Sequence, residues 1–403
     1  MKQKAKNAEI FFVLLLGLLL LSMTGCWSSK EIEEVGLAAG LALDKGEEST
    51  IEKELKEQGG GYPKRDIITV TYQFVNPQAE DKESSSGGAQ QKSYTNVSET
   101  GDSVHQITRE VSLRREGPLF SPHLKVIVIG EDLARTYSLE PLLNQFIRDN
   151  EIRPSCLVFI SKGQARKVME SKEPGEVPSF RLVGIVDNEY RTTRILPSVS
   201  LAKLEGKMQS GSSFLLQNII SANGEVKFAG AAVIKGKTKK LNGFLDEAEL
   251  DGITWITGKG KGGLVKSFDE KTGQLVVYEI KSMKSRIIPH VHGNKISFDV
   301  DIESEGRLSE NWAVSEAAFE NEFLKRVEKA AEQEVKGLVK NVTEKMQKEY
   351  EADVAGFGNR LRIEHPKVWE KVKKDWDETF SEVPIKYNVK LTIKDYGTSG
   401  SNQ

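Results

Sequence analysis

Lys125-Val126-Ile127-Val128-Ile129-Gly130 sets four β-branched apolar residues between a lysine and a glycine. No polar residue interrupts the run. It reads as a central strand buried on both faces, as in parallel sheets. The downstream pattern agrees. Residues 139–148 read as a helix, 157–160 (Leu157-Val158-Phe159-Ile160) as a strand, and 163–170 as a second helix. Strand, helix, strand, helix over this length predicts a mixed α/β layer with at least one parallel pairing.

Upstream, Val35-Gly36-Leu37-Ala38-Ala39-Gly40-Leu41-Ala42-Leu43-Asp44 reads as a buried strand, its glycines leaving room for close packing. Residues 46–66 are charged and end in Gly59-Gly60-Gly61, which predicts a flexible excursion. Residues 67–75 alternate, with Ile68, Val70, Tyr72 and Phe74 on one face of a half-buried strand. Residues 78–92, with Glu83-Ser84-Ser85-Ser86-Gly87-Gly88, are expected to be flexible. Ser103 is placed to cap a helix over 103–115.

Residues 180–190 and 198–208 look helical, and the loop Gln209-Ser210-Gly211-Ser212-Ser213 is the candidate domain boundary. Beyond it, strands over 214–220 and 226–234 flank Asn223-Gly224, a hairpin signature. Strands follow over 275–288 and 295–303. A long helix over 313–351 carries Phe323, Val327, Ala331, Val335, Leu338 and Val342 on one stripe. A further helix starts at Pro366, with Val368, Trp369, Val372 and Trp376, and a strand over 385–393 closes the chain's last unit. The predicted class is α+β (mixed α/β) in two to three domains, each a β-sheet packed with helices, the long helix in the C-terminal one. The expected division is a leader over 1–25, an N-terminal domain over 26–210 (as one unit or as two subdomains), a C-terminal domain over 211–396 and a tail over 397–403.

The leader rests on its own pattern. Lys2, Lys4 and Lys6 precede an apolar run over 10–21, and Leu21-Ser22-Met23-Thr24-Gly25-Cys26 ends it. Charged start, apolar stretch and small-residue cleavage site are a secretory signal. The run is shorter than the roughly 20 residues a spanning helix needs. A cysteine directly after Gly25 looks like a lipobox, in which the Cys26 thiol is acylated and the chain is cut on the N-terminal side of it. An uncleaved signal anchor is the alternative. With Cys26 so used, Cys156 has no disulfide partner, and it sits in an apolar run that suits a buried core residue. The net charge of −2 gives no basic face for nucleic acid.

Candidate chemistry fails to assemble. Gly258-Lys259-Gly260-Lys261-Gly262-Gly263 matches G-x-G-x-x-G, but Leu264-Val265-Lys266-Ser267-Phe268 after it reads as a strand, whereas phosphate binding needs a helix N-terminus there. His290-Val291-His292 offers two imidazoles and no further ligand, so no metal or other cofactor is expected. Asp299, Asp301 and Glu303 alternate as a solvated strand face. Trp369 and Trp376 suit core packing, and no nucleophile–base set can be assembled. An enzyme is therefore not expected.

Ordered pieces across the chain resemble the Ger(x)C family of spore germination lipoproteins, the C subunits of germinant receptors. They begin with Gly25-Cys26-Trp27 and Lys30-Glu31-Ile32, then Gly40-Leu41-Ala42-Leu43-Asp44 and Thr69-Val70-Thr71-Tyr72-Gln73-Phe74-Val75-Asn76-Pro77. His123-Leu124-Lys125 through Gly130-Glu131 and Arg148-Asp149-Asn150-Glu151-Ile152-Arg153 follow. Phe228-Ala229-Gly230-Ala231-Ala232-Val233 and Leu241-Asn242-Gly243-Phe244-Leu245 come next, and last Asp353-Val354-Ala355-Gly356-Phe357-Gly358, leading through His365-Pro366, Trp369 and Trp376 to the final strand. Ser28 and the 46–66 insertion depart from the family pattern. The resemblance implies a non-enzymatic subunit, lipid-anchored through Cys26 on the outer face of the spore inner membrane. It would work beside two integral membrane subunits, one permease-like, in nutrient-triggered germination. A solute-binding lipoprotein of a transport system is the alternative, and would show two similar lobes around a cleft.

Overall fold

The computed structural model describes residues 12, 36–60, 64–76, 92–313 and 320–395. Cys26, the leader apart from residue 12, residues 77–91 and the tail after 395 lie outside the described residues.

The first half opens with β1 (Gly36–Lys45), α1 (Thr50–Glu57), β2 (Ile68–Val75), β3 (Tyr94–Gly101) and α2 (Val104–Glu110). Next come β4 (Leu119–Phe120), β5 (Val126–Gly130), α3 (Glu131–Thr136), α4 (Leu139–Arg148), β6 (Leu157–Ser161), α5 (Pro178–Val186) and α6 (Leu201–Ser210). Strands β7 (Phe214–Ala222), β8 (Glu225–Ile234) and β9 (Leu241–Leu245) join the same sheet, in the order β3-β2-β1-β5-β6-β7-β8-β9, with β4 beside β1. The first sheet is thus built from both sides of residue 211. Its centre, β1-β5-β6-β7, is parallel, and its two flanks are antiparallel.

The apolar run of β5 explains the layering. Ile127 and Ile129 face a core shared with Leu142, Leu143 and Phe146 of α4 and Leu204 of α6. Val126 and Val128 face the opposite core, with Val168, Met169 and Leu182 of α5. Helical layers cover both faces, so the strand needs no polar side. The same cover corrects the reading of β2 as half-buried: Thr69, Thr71 and Gln73 are buried too. Gln73 donates to the Met169 carbonyl (2.9 Å) and accepts from Ser179 N–H (2.9 Å). The expected helix over 163–170 is a short 3-10 turn, Ala165–Met169.

The 46–66 stretch is not an irregular excursion, for it contains α1. Ser49 and Glu52 close a capping box, with Glu52 accepting from Ser49 N–H at 2.7 Å. The other oxygen of Glu52 accepts from Thr100 N–H of the outermost strand, β3, at 3.0 Å. The insertion thereby blunts a sheet edge, where unpaired backbone groups would invite pairing with another chain.

The second half begins with α7 (Glu247–Thr257), followed by β10 (Leu264–Phe268), β11 (Leu275–His292), β12 (Lys295–Asn311) and α8 (Asn321–Lys348). It ends with α9 (Phe357–Glu364), α10 (Pro366–Val372), α11 (Trp376–Ser381) and β13 (Ile385–Asp395). The second sheet runs β10-β11-β12-β13, with β13 parallel to β12. Helix α8 takes up the main part of the long helix expected over 313–351: Ala313 and Glu320 are not helical and residues 314–319 lie outside the described residues, while Phe323, Val327, Ala331, Val335 and Val342 are fully buried. Val339 completes the stripe, with Leu338 only partly buried beside it. The single helix expected from Pro366 is two, α10 and α11, separated by a 3-10 turn over Lys373–Asp375.

Helix α7 joins the halves. Leu250 to Ile256 are all buried, as befits a helix enclosed on every side. One core takes in Leu215, Ala231, Val233 and Leu245 of the first sheet, α7, and α8. Gly252 permits the crossing: a Cβ there would lie 2.6 Å from the Leu338 carbonyl oxygen of α8. Glu249 and Lys345 pair across the same contact at 2.7 Å.

Candidate functional site at the junction of the sheets

In open α/β sheets, ligands sit beyond the carboxyl ends of the parallel strands. Here that position is closed. Asp44, at the end of β1, accepts from the backbone N–H groups of Ala165 (2.6 Å) and Arg166 (2.8 Å). Burial pushes the Asp44 carboxyl above the usual range, with those two donors pulling against it. A Cβ on Gly130 would lie 2.4 Å from Asp44 Oδ1, so the strand end and the 3-10 turn leave no room for a guest.

The polar chemistry concentrates instead where residues 350–378 meet the first sheet. Lys235, after β8, donates to the carbonyls of Tyr350 (3.0 Å) and Glu351 (2.7 Å). Tyr350 returns a bond through its hydroxyl to the Phe244 carbonyl of β9 at 2.8 Å. Ser213 accepts from Gly236 N–H and donates to Asp377 Oδ2, both at 2.9 Å.

Asp353 orders the second-half side of this junction, its N–H donating to the Asp377 Oδ1 at 3.2 Å. Its Oδ1 accepts from Gly356 N–H (2.8 Å) and Phe357 N–H (3.1 Å); its Oδ2 accepts from Gly358 N–H (2.6 Å) and Trp376 Nε1–H (2.9 Å). The carboxylate satisfies the orphan donors at the start of α9. Burial drives its pKa up, against the pull of these four donors. Trp376 then packs edge-on against Phe298 (6.3 Å between ring centres) and Trp369 (5.5 Å). The two tryptophans thus meet from different helices, with Trp376 buried and Trp369 half-buried.

Beside this cluster opens a cleft of about 560 Å³. Lys235, Lys237, Arg362, Lys373 and Lys374 line it with Glu351, Asp375, Asp377 and Glu378, and Trp369 and Trp376 supply apolar surface. Among the described residues, no histidine or cysteine lines it. Charges of both signs around two indoles can recognise a polar partner; they do not form a nucleophile–base pair.

The residues singled out from sequence stay apart. Cys156 is buried and free, and burial pushes its thiol pKa up, which suits a core residue. His290 Nε2 lies 3.3 Å from Asp299 Oδ2 across the β11–β12 hairpin, while Asp301 and Glu303 pair in register with Arg286 and Lys284. Among the described residues, no group of three or more His, Cys, Asp or Glu could hold a metal ion. The Gly258–Gly263 loop follows the C-terminus of α7, with Gly258 in the left-handed region (φ 64°). Among the described residues, no helix is long and apolar enough to cross a membrane. Sequence reasoning missed Asp353 and Lys235 as junction residues. An aspartate three residues before Gly356 is an Asx-turn signal; Lys235 offers none.

The architecture defines a two-sheet α+β protein with a polar junction cleft. The family described as "Spore germination protein N-terminal domain" matches residues 28–220, and "Spore germination B3/ GerAC like, C-terminal" matches residues 229–397. Spore germination protein YndF of Bacillus subtilis (strain 168) is 54% identical over 402 residues, covering 99% of each chain. Spore germination protein B3 of the same organism is 32% identical over 403 residues, covering 99% of this chain and 100% of its own. A solved structure described as "Crystal Structure of the GerBC protein" superposes with a TM-score of 0.61 at 28% identity, covering 90% of this chain and all of that one. The chain belongs to the GerAC-like family of spore germination proteins.

Proposed function

We propose that the chain is the lipid-anchored, non-enzymatic C subunit of a germinant receptor. It is acylated at Cys26, held on the outer face of the spore inner membrane, and assembled with two integral membrane subunits in nutrient-triggered germination. The observation that carries this reading is similarity over the whole chain to spore germination proteins. Two or more acyl chains on one cysteine give stable anchoring where a single chain is marginal. Gly36 lies ten positions after Cys26. A lipid-held Cys26 therefore keeps the start of β1 within about 35 Å of the bilayer. Such tethering raises the local concentration of the chain around membrane partners. The junction cleft, with both charge signs and two indoles, suits contact with a polar partner better than a reaction. Against the transport alternative stand the unlike topologies of the two halves and the core they share, which leave no pair of similar lobes to close on a solute.

The anchor is tested with Cys26→Ala. The variant is expected to lose incorporation of labelled fatty acid and to leave the membrane fraction. Unchanged labelling would remove the anchor from the account.

A further inference from the structure

A second cavity, of about 260 Å³, lies on the junction away from the cleft. Its wall is apolar, built from Leu196, Pro197, Leu215, Ile253 and Val354. Its charged lining is lopsided: Lys203, Lys207 and Lys259 line it, and among the described residues no aspartate or glutamate does. Thr254 and Thr257 already donate their hydroxyls to backbone carbonyls. Lys203 reaches the Ser198 carbonyl at 3.0 Å, and Lys207 lies 5.8 Å from the Phe214 ring centre. Lys207 is half-buried, and the charged groups that act on it are Lys259 and Lys203, both of its own sign.

The ends of two helices account for part of this. Lys207 sits in the last turn of α6, and Lys259 follows the last turn of α7, where cations are favoured. That does not explain three cations converging on one apolar hollow, because like charges held close destabilise each other. The glycine–lysine loop gains a role here. Gly258 turns the chain out of α7 and brings Lys259 to the cavity, whereas Lys261 turns away to pair with Glu189.

We propose that this cavity binds a small organic carboxylate, its anionic group held among Lys203, Lys207 and Lys259 and its apolar body against Leu196, Leu215 and Ile253. The volume lies just below the usual 300–1,000 Å³ of ligand pockets, so one ring or a short branched chain fits and a long acyl chain does not. The ligand would touch α6 and β7 on one side and α7 and Val354 on the other, so its binding ties the two halves together.

The test uses the full-length chain in detergent, titrated calorimetrically and by melting with benzoate, isovalerate, laurate, inorganic phosphate and benzamide. Benzoate or isovalerate is expected to bind and raise Tm, with benzamide, laurate and phosphate weaker by about tenfold or more. Lys207→Gln is expected to weaken carboxylate binding by about tenfold or more, and Lys336→Gln, exposed on α8 and outside both this cavity and the junction cleft, to leave it unchanged. Should Lys207→Gln fail to fold, Lys259→Gln in the exposed loop gives the same comparison. Equal shifts with phosphate and benzoate, or binding that survives both lysine substitutions, would overturn the proposal. So would the absence of any carboxylate binding. None of these outcomes bears on membrane anchoring or partner assembly, which are read separately.

Discussion

Asp353 shows what one buried carboxylate does at a junction. Four N–H donors converge on it, three from the backbone at the start of α9 and one from Trp376. Asp353→Ala strands all of them in a dry site, and we expect a loss of about 3 kcal/mol or more in urea unfolding. Asp353→Asn keeps one acceptor oxygen but turns an NH₂ toward donors, so it should fall between wild type and alanine. A loss below about 1 kcal/mol for the alanine variant would contradict this role. Asp269 carries a pH signature. Burial raises its carboxyl, but hydrogen bonds from Arg326 (2.9 Å) and Thr272 outweigh that, and the net pKa falls below the ordinary value. A carboxylate depressed in the folded state contributes stability above its unfolded pKa of about 3.9 and loses it as pH falls through the folded value. The stability gap between wild type and Asp269→Asn should be widest near neutrality and close below about pH 4. A gap that is constant from pH 7 to pH 3 would contradict the assignment.

At the scale of elements, glutamates guard free sheet edges in both halves. Glu52 of α1 takes the Thr100 N–H of β3. Glu328 and Glu332 of α8 accept from Ile393 N–H (2.7 Å) and Leu391 N–H (3.0 Å) on the outer edge of β13. Replacing Glu328 and Glu332 together by alanine should cost about 1–3 kcal/mol and speed aggregation on heating; an unchanged midpoint and turbidity would contradict the capping role. These guards explain what the sequence could and could not reveal. Their partners lie tens of residues away, so the charges of 46–66 and of α8 read only as solvated. Strand β5 and helix α8 were legible because each repeats one period over a full element. Helix α7 was not, because full enclosure leaves it no polar stripe. Strand β3, Tyr94-Thr95-Asn96-Val97-Ser98-Glu99-Thr100-Gly101, is too polar for its pairing with β2 to show. Trp369 and Trp376 suggested one helix, and the 3-10 turn at Lys373–Asp375 divides it while the rings still meet.

At the scale of the whole molecule, the two sheets share a core through α7 and are cross-linked by hydrogen bonds from Lys235 and Ser213, so the halves present a joined surface and not two hinged lobes. The fold class was legible in the sequence because strands dominate early in the second half and helices late, whereas α/β alternation runs through the first. The junction cleft was not, since its residues come from 210–237 and 351–378 and meet only in three dimensions. The central claim is the proposed one: a tethered subunit that works by assembly. The most direct measurement is purification of the tagged full-length chain from spore membranes in mild detergent, with identification of what accompanies it. The account predicts two integral membrane proteins in constant ratio to the chain, one of them permease-like. Recovery of the chain alone, or with the ATPase of a transport system, would contradict it.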